Sequence, residues 1–550
     1  MPLPNHPSRR AFLAATGTAM ATTAGSLLSA PAGAATTSSP LTHPTAPDRL
    51  LSEGPSLVRE LDAKIRADMA TYAIPGVAVG LLWRGVPYVQ GYGVTDIDNP
   101  VPVDGDTGFR VASTTKTFTG TAVMRLVERR LINLDAPVVR YLPDLRTADP
   151  SVARRVTVRQ LLNHTAGWLG DYFLDTGEGR DAMARYVAGL VDVPQLTPPG
   201  EVFAYNNAAL GVAGRLIEVV TGQPYETALH EEVLGPLGLA HSVVSTLPPA
   251  GLSVAASHDF LDGAAVSEPS YFRLWRSLHA LGGLISSARD QLRWARFHLG
   301  DGTVPGSGSA RLLTRDSVRA MRSHPGPGGT LFVELEGVGI TWMLRPSAQG
   351  VRVVQHGGDW AGQHSGFLMV PERDFALTVL TNSETGPALL EDLFTGDWAL
   401  QRFAGVSNLP ANLHPLSRRK LADYEGTYTQ EQIGPDGVLL TGQFDATADA
   451  GQLLASAQGV PLARVGFYRR DYGVVLGPDG ELTLSRANFV RGPDGEVDWL
   501  RLGGRLSRRT PAGTTTPSPA AQDPAGPSRV RQAQQPAVDL LRPWRAALRK

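Results

Sequence analysis

The feature that most constrains this fold is a double change of apolar period between residues 76 and 381. Residues 77–83 and 88–93 have strand-like patterning on either side of the turn Arg84-Gly85. The middle of the chain, about 170–320, is dominated by helical spacing, including 208–221 and 288–299. Strand patterns then return at 338–344, 351–355, 365–370 and 376–381. Two strands, a helical region and further strands to finish the sheet describe an α/β core with a helical insertion. A helical pattern over 56–72 leads in and stops at Ile74-Pro75-Gly76, and 282–287 reads as a tight turn between helical pieces.

Beyond a Pro/Asn/Arg-rich boundary at 407–419 the signals are almost entirely strands. Gly-Pro-Asp-Gly occurs at 434–437, 477–480 and 492–495. Proline presets φ for the first turn position and glycine accepts the positive φ that follows, so each copy predicts a hairpin turn. Residues 420–509 are therefore expected to be a small all-β domain, a barrel or half-barrel. With 550 residues the chain should hold two or three domains, and 49–406 is the first of them. Residues 510–550 read as a disordered tail.

The N-terminus has the pattern of an export signal. Ser8-Arg9-Arg10-Ala11-Phe12-Leu13 precedes an Ala/Thr-rich apolar run that ends at Ala32-Gly33-Ala34. Residues 1–34 are thus expected to be a twin-arginine signal peptide and 35–48 a linker, with the mature chain outside the cytoplasm. No other stretch is apolar enough for long enough to span a bilayer. A net charge of −1 gives no reason to expect nucleic acid as a partner, and the absence of cysteine removes thiolate catalysis and cysteine-ligated zinc.

Ser113 and Lys116 stand one helical turn apart at the head of an apolar helical pattern (Phe118, Ala122, Val123, Leu126, Val127). A serine hydroxyl needs a neighbouring base, and a lysine held in a half-buried place is pushed towards its neutral form. Only four of the 51 basic residues are lysines, at 64, 116, 420 and 550. Arginine cannot deprotonate in a protein, so a lysine at 116 in so arginine-rich a chain is informative. A second Ser-x-x-Lys, Ser417 to Lys420, lies in a polar, basic stretch and reads as solvated linker.

Two more stretches add polar groups. Of the thirteen tyrosines only Tyr205 has an asparagine two residues on, Asn207. A tyrosine beside an ammonium can ionise and act as general base, and the amide can fix a substrate carbonyl. His356-Gly357-Gly358 follows the 351–355 strand, where bare backbone can approach a substrate and help form an oxyanion hole. His364-Ser365-Gly366 and His324-Pro325-Gly326 have the same form but do not close an apolar strand with two glycines.

In this order Ser-x-x-Lys, Tyr-x-Asn and His-x-Gly resemble the serine β-lactamase and penicillin-binding protein superfamily. The likeness is nearest to the class C-like branch that includes D-aminopeptidases, DD-peptidases and esterases. It extends over roughly 50–400 through Ile74-Pro75-Gly76-Val77-Ala78, Gly91-Tyr92-Gly93, 109–113, 161–167, Pro236-Leu237-Gly238-Leu239 and Gly282-Gly283-Leu284. The resemblance implies a β-lactamase/transpeptidase-like antiparallel sheet flanked by helices, with a helical subdomain. It also implies Ser113 as acylated nucleophile, Lys116 as its proton partner, and Tyr205 as general base and leaving-group acid. Asn207 and His356 would position substrate, and the N–H groups of Ser113 and Asp359 would form the oxyanion hole. His356 stands where many relatives carry lysine, which weakens the fixed charge for a substrate carboxylate and favours esters or aminopeptidase substrates over β-lactams.

The leading expectation is an exported serine hydrolase without metal or cofactor, acting through a Ser113 acyl-enzyme on a small-molecule or peptide substrate: an ester, a D-amino-acid amide or peptide such as a cell-wall peptide, or a β-lactam. The alternative is a penicillin-binding or peptidoglycan-sensing module with little turnover. An α/β-hydrolase lacks its Gly-x-Ser-x-Gly, and a zinc hydrolase lacks a second histidine placed against His230. The β domain's position after the last core strand raises the expectation that it shapes the cleft.

Overall fold

A computed structural model describes residues 50–323, 326–512 and 531–534. The expected signal peptide and linker (1–48), His324 and most of the expected tail lie outside the described residues. The main sheet has seven strands, all antiparallel, in the order Gly337–Val338, Met343–Arg345, Val353–Trp360, Gln363–Val370, Phe375–Thr381, Gly76–Trp83, Val86–Gly93. The sheet is thus completed by the C-terminal strands pairing back onto the first hairpin, as the apolar pattern predicts. Helix Ala288–Leu299 lies on it: a Cβ at Gly80 would meet Ala288 O at 2.9 Å and Leu292 Cγ at 2.9 Å, so glycine there sets how closely helix and sheet approach. The inserted helical region includes Thr115–Glu128 and Asn207–Thr221, packed in one apolar core.

Three local expectations are corrected. Residues 338–344 form two short strands, because Thr341 takes a positive φ of 61° and turns the chain back. The strand expected to stop at 355 continues through the glycines to Trp360, paired along its length with Gln363–Val370. The turn expected at 282–287 contains a strand, Leu284–Ser287, paired with Gly108–Arg110. This buried pairing carries no alternating polar face, so the sequence gives it no strand signature.

The C-terminal region is a closed eight-stranded antiparallel barrel. Strands Gly426–Ile433, Val438–Asp449, Gln452–Ala457, Val460–Arg469, Tyr472–Leu476, Leu482–Arg491, Val497–Leu502 and Arg505–Pro511 pair in succession, and the first also pairs with the last. Closure takes in every strand of the meander, and Arg531–Gln534, inside the stretch expected to be disordered, adds in parallel along Val438–Thr441. Each Gly-Pro-Asp-Gly joins two strands, with Gly437, Gly480 and Gly495 at φ 77°, 91° and 85°. The interior is filled by side chains, Tyr424, Tyr428, Phe444, Phe467 and Phe489 among them.

The barrel is seated on the main domain through its backbone. Phe173 N–H donates to Ile433 O (2.9 Å), Ile433 N–H to Asp171 O (2.8 Å) and Tyr205 N–H to Gly504 O (2.8 Å). No helix among the described residues is long and apolar enough to cross a membrane.

Candidate active site

Ser113 lies in a 3₁₀ turn, Ala112–Thr114, rather than in the first turn of the α-helix that follows, Thr115–Glu128. Ala112 has φ 44°, a conformation that residues bearing a Cβ adopt only when neighbours impose it. Those neighbours are visible. Val111 N–H donates to Leu284 O (3.0 Å), Leu284 N–H to Thr115 Oγ1 (3.1 Å), and Ser365 Oγ to Val111 O (2.8 Å). The stretch His364-Ser365-Gly366, set aside from sequence, therefore helps hold the turn that presents Ser113.

Lys116 Nζ is 2.9 Å from Ser113 Oγ and 2.9 Å from the Leu281 carbonyl, which it donates to. Its side chain is fully buried. Burial holds the amine well below the ordinary lysine range; Arg505 pushes the same way and Asp171 opposes. The second Ser-x-x-Lys has no such setting: Ser417 and Lys420 are exposed, beside and in the short helix Arg418–Leu421.

Tyr205 is buried against the same corner, its ring 5.1 Å from Lys116 Nζ and stacked on His164 at 4.6 Å. Burial raises its pKa above the ordinary phenol value, and contacts with Ser113 and Arg505 only partly offset that. The same burial disfavours the charged form of the lysine that would ionise the tyrosine. Asn206 Oδ1 accepts from Ala209 N–H (2.8 Å) and so caps helix Asn207–Thr221. Asn207, its first residue, donates from Nδ2 to Asp171 (2.9 Å) and leaves Oδ1 buried without a protein donor.

His356 is buried, its ring 6.3 Å from that of Tyr205. Its Nδ1 is 2.7 Å from the Gly357 carbonyl, which can only accept, so Nδ1 carries the proton. Burial first, and then Lys116, push its pKa down to about 3. It is a neutral group, not a substitute for a lysine charge. Further along the strand, a Cβ on Gly358 would sit 2.1 Å from Val111 O and 2.7 Å from Ser113 N. Only glycine lets the strand lie this close to the Ser113 amide. Antiparallel bonding alternates, and the short turn between Trp360 and Gln363 pairs Gly358 with Ser365, so the Asp359 amide points to the opposite edge. The Asp359 carboxylate is held across the hairpin by His364 Nδ1 at 3.0 Å and sits below its usual range.

The barrel supplies a group that sequence reasoning missed. The hairpin turn Gly503-Gly504 carries Arg505 into the site, its guanidinium 4.7 Å from the Tyr205 ring and 3.1 Å from Asp171 Oδ2. Asp171 in turn binds Asn207, so Arg505, Asp171 and Asn207 form one chain beside Tyr205. Burial works against the Arg505 charge, but Asp171 and its other neighbours more than offset it. About a quarter of its side chain stays exposed, 27%. Asp171 and Arg505 have no motif of their own, the second lying 392 positions from Ser113, while His164 lies in the 161–167 run but carries no role readable from it.

The profile of the family described as Beta-lactamase matches residues 61–400. Penicillin-binding protein 4 of Amycolatopsis lactamdurans is 35% identical over 370 residues, which cover 66% of this chain and 95% of that one. Protein flp of Staphylococcus aureus (strain MW2) is 25% identical over 362 residues, 64% of this chain and 68% of that one. Among solved structures, SurE aligns with 83% of this chain and all of its own, at 27% identity and a TM-score of 0.64, and it is also known with D-Leu. An octameric penicillin-binding protein homologue from Pyrococcus abyssi shares the fold at 20% identity and a TM-score of 0.54, covering 78% of this chain and 99% of that one.

Proposed function

This chain belongs to the Beta-lactamase family of serine hydrolases, and on that premise we propose that it cleaves amides or esters at a D-amino-acid residue through a Ser113 acyl-enzyme. The observation that carries the reading is the buried Lys116 amine 2.9 Å from the Ser113 hydroxyl, its pKa pushed down by burial. In this scheme Lys116 takes the Ser113 proton as Oγ attacks the carbonyl carbon. The carbonyl oxygen, now negative, is met by the N–H groups of Ser113 and Asp359. Lys116 returns the proton through Tyr205 to the departing nitrogen or oxygen, and a water repeats the sequence on the acyl-enzyme.

In this reading Lys116 keeps the role of proton partner expected from sequence, while Tyr205 keeps only the leaving-group-acid half of its expected role, and burial is the reason. It favours the neutral form of both groups, which makes the lysine a base and the tyrosine an acid. Arg505 alters the substrate argument as well. The fixed charge that His356 cannot supply is available from the barrel, on the Tyr205 side where the leaving group departs. A leaving group that ends in a carboxylate is therefore within the reading, and the D-Leu complex of SurE supports a D-residue at the scissile bond. Export by the twin-arginine route and the division into 1–34, 35–48, 49–406, 407–419, 420–509 and 510–550 belong to the same reading and rest on sequence pattern.

The test is hydrolysis of a short-chain p-nitrophenyl ester, a chromogenic cephalosporin and a D-alanine p-nitroanilide by the wild type and by Ser113→Ala. Turnover of the anilide or ester that disappears in Ser113→Ala is the expected result. Cephalosporin as the best substrate would overturn the D-residue assignment. Stoichiometric acylation without turnover would make the chain a penicillin-binding module instead.

A further inference from the structure

The barrel carries a second polar feature that chemistry at Ser113 leaves unused. A groove of about 260 Å³ opens where the barrel meets the main domain, walled by Val202, Gly328, Tyr472, Asn488, Phe489 and Arg501. Arg501 is 2% exposed. Its Nε donates to Phe203 O (2.9 Å), and its Nη1 to Asn488 Oδ1 (2.9 Å) and Gly328 O (3.4 Å). These acceptors are all uncharged, and no carboxylate among the described residues offsets the charge.

The other buried arginines are treated differently. Arg110 uses all three nitrogens, on the carbonyls of Phe272, Gly283, Ser245 and Thr246. Arg345 pairs with Asp397 at 2.7 Å. Arg501 Nη2 alone of its nitrogens has no acceptor among the described residues, and it is not sealed away from the groove. A buried guanidinium with a free N–H edge and no counter-charge is electrostatically unfinished.

The rim does not complete it. Asp471 is occupied by Arg491 at 2.9 Å and by the Tyr424 hydroxyl at 2.9 Å. Arg470 stands three-quarters exposed at the mouth, 75%, and Glu201 is the remaining rim acid. Val202 and Tyr472 give the groove apolar walls around the one unmatched donor.

We propose that this groove is a binding site for a small carboxylate with an apolar body. The carboxylate sits on Arg501 Nη2 and the body lies between Tyr472 and Val202. The site adjoins the segment that leads into Tyr205, but it is separate from Ser113 and does not depend on the proposed reaction.

The experiment is titration calorimetry on the full chain carrying Ser113→Ala, so that no turnover contributes heat. The probes are benzoate, its neutral isostere benzamide, and inorganic phosphate. Benzoate is expected to bind in the millimolar range, and benzamide about tenfold more weakly. Arg501→Gln should lose about tenfold in benzoate affinity. Arg470→Glu, which reverses an exposed rim charge, should weaken it severalfold. If Arg501→Gln fails to fold, as circular dichroism would reveal, Arg470→Glu and the benzamide comparison decide. Equal binding of benzamide, no heat with benzoate, or no loss in Arg470→Glu would overturn the site. Phosphate binding as tightly as benzoate would overturn the requirement for an apolar body.

Discussion

Two regions meet at Ser113, and they bring opposite electrostatics. The α/β domain contributes Lys116, His164 and His356, and burial drives all three toward their neutral forms. The barrel contributes Arg505, which keeps its charge because Asp171 stands beside it. Desolvation thus disfavours charge on one wall of the site, while an ion pair preserves a cation on the other. On the proposed scheme proton transfer belongs to the first wall and charge recognition to the second, and that division can be attacked variant by variant.

The largest effect is expected from Lys116→Met. Turnover should fall by about 10⁴-fold or more, as when one member of a coupled catalytic unit is lost. The same change should raise the melting temperature. Lys116 has its folded pKa below the ordinary 10.5, so between the folded and unfolded values the unfolded chain binds more protons than the folded chain. Its burial therefore costs stability at neutral pH, and the cost fades as pH rises past the unfolded value. The gain in melting temperature should accordingly be larger at pH 7 than at pH 10, and calorimetry at the two pH values checks it. A loss of stability at both would mean that Lys116 is buried as a charged group.

Gly358→Ala comes next. The added carbon would press on Val111 O and Ser113 N, both backbone, so kcat should fall about 100-fold through the displaced amides, with KM little changed. A KM effect alone would move Gly358 from the oxyanion site to substrate contact.

Arg505→Gln sharpens the comparison itself. It should lower kcat/KM about 10- to 100-fold for an anilide or ester whose leaving group bears a carboxylate. A p-nitrophenyl ester should be affected much less. Equal losses on both would show that Arg505 acts through Asp171 and Asn207 rather than on substrate.

The smallest effect is expected from His356→Gln. Because His356 is already neutral above about pH 3, the pH profile of kcat/KM should rise as Lys116 loses its proton and keep the same midpoint in the variant. A limb near pH 6.5 that disappears with His356 would place a titrating imidazole in the mechanism after all.

The legibility of these parts in the sequence follows their range. Ser113 and Lys116 could be found because three residues of one helical turn fix their separation. The three Gly-Pro-Asp-Gly turns could be found because their φ requirements are local, and all three glycines adopt the positive φ expected. Leu284–Ser287 was misread because its pairing with Gly108–Arg110 is long-range and buried. The strand through His356 was ended too early because two glycines resemble a stop. Their role there is to let backbone approach backbone at Ser113.

The sequence by itself determined the order of elements, the closure of the sheet by C-terminal strands, the presence of a β domain and the polar groups carried on short motifs. Each depends on period, turn chemistry or residues a few positions apart. Only the tertiary structure decided which protons those groups hold and which group carries charge. Protonation is set by desolvation and by neighbours in space, and the charged neighbours that matter to both Lys116 and Tyr205, Asp171 and Arg505, come from distant stretches of chain. The pairing of Arg505 with Asp171 exists because the barrel closes and seats its last hairpin over Tyr205.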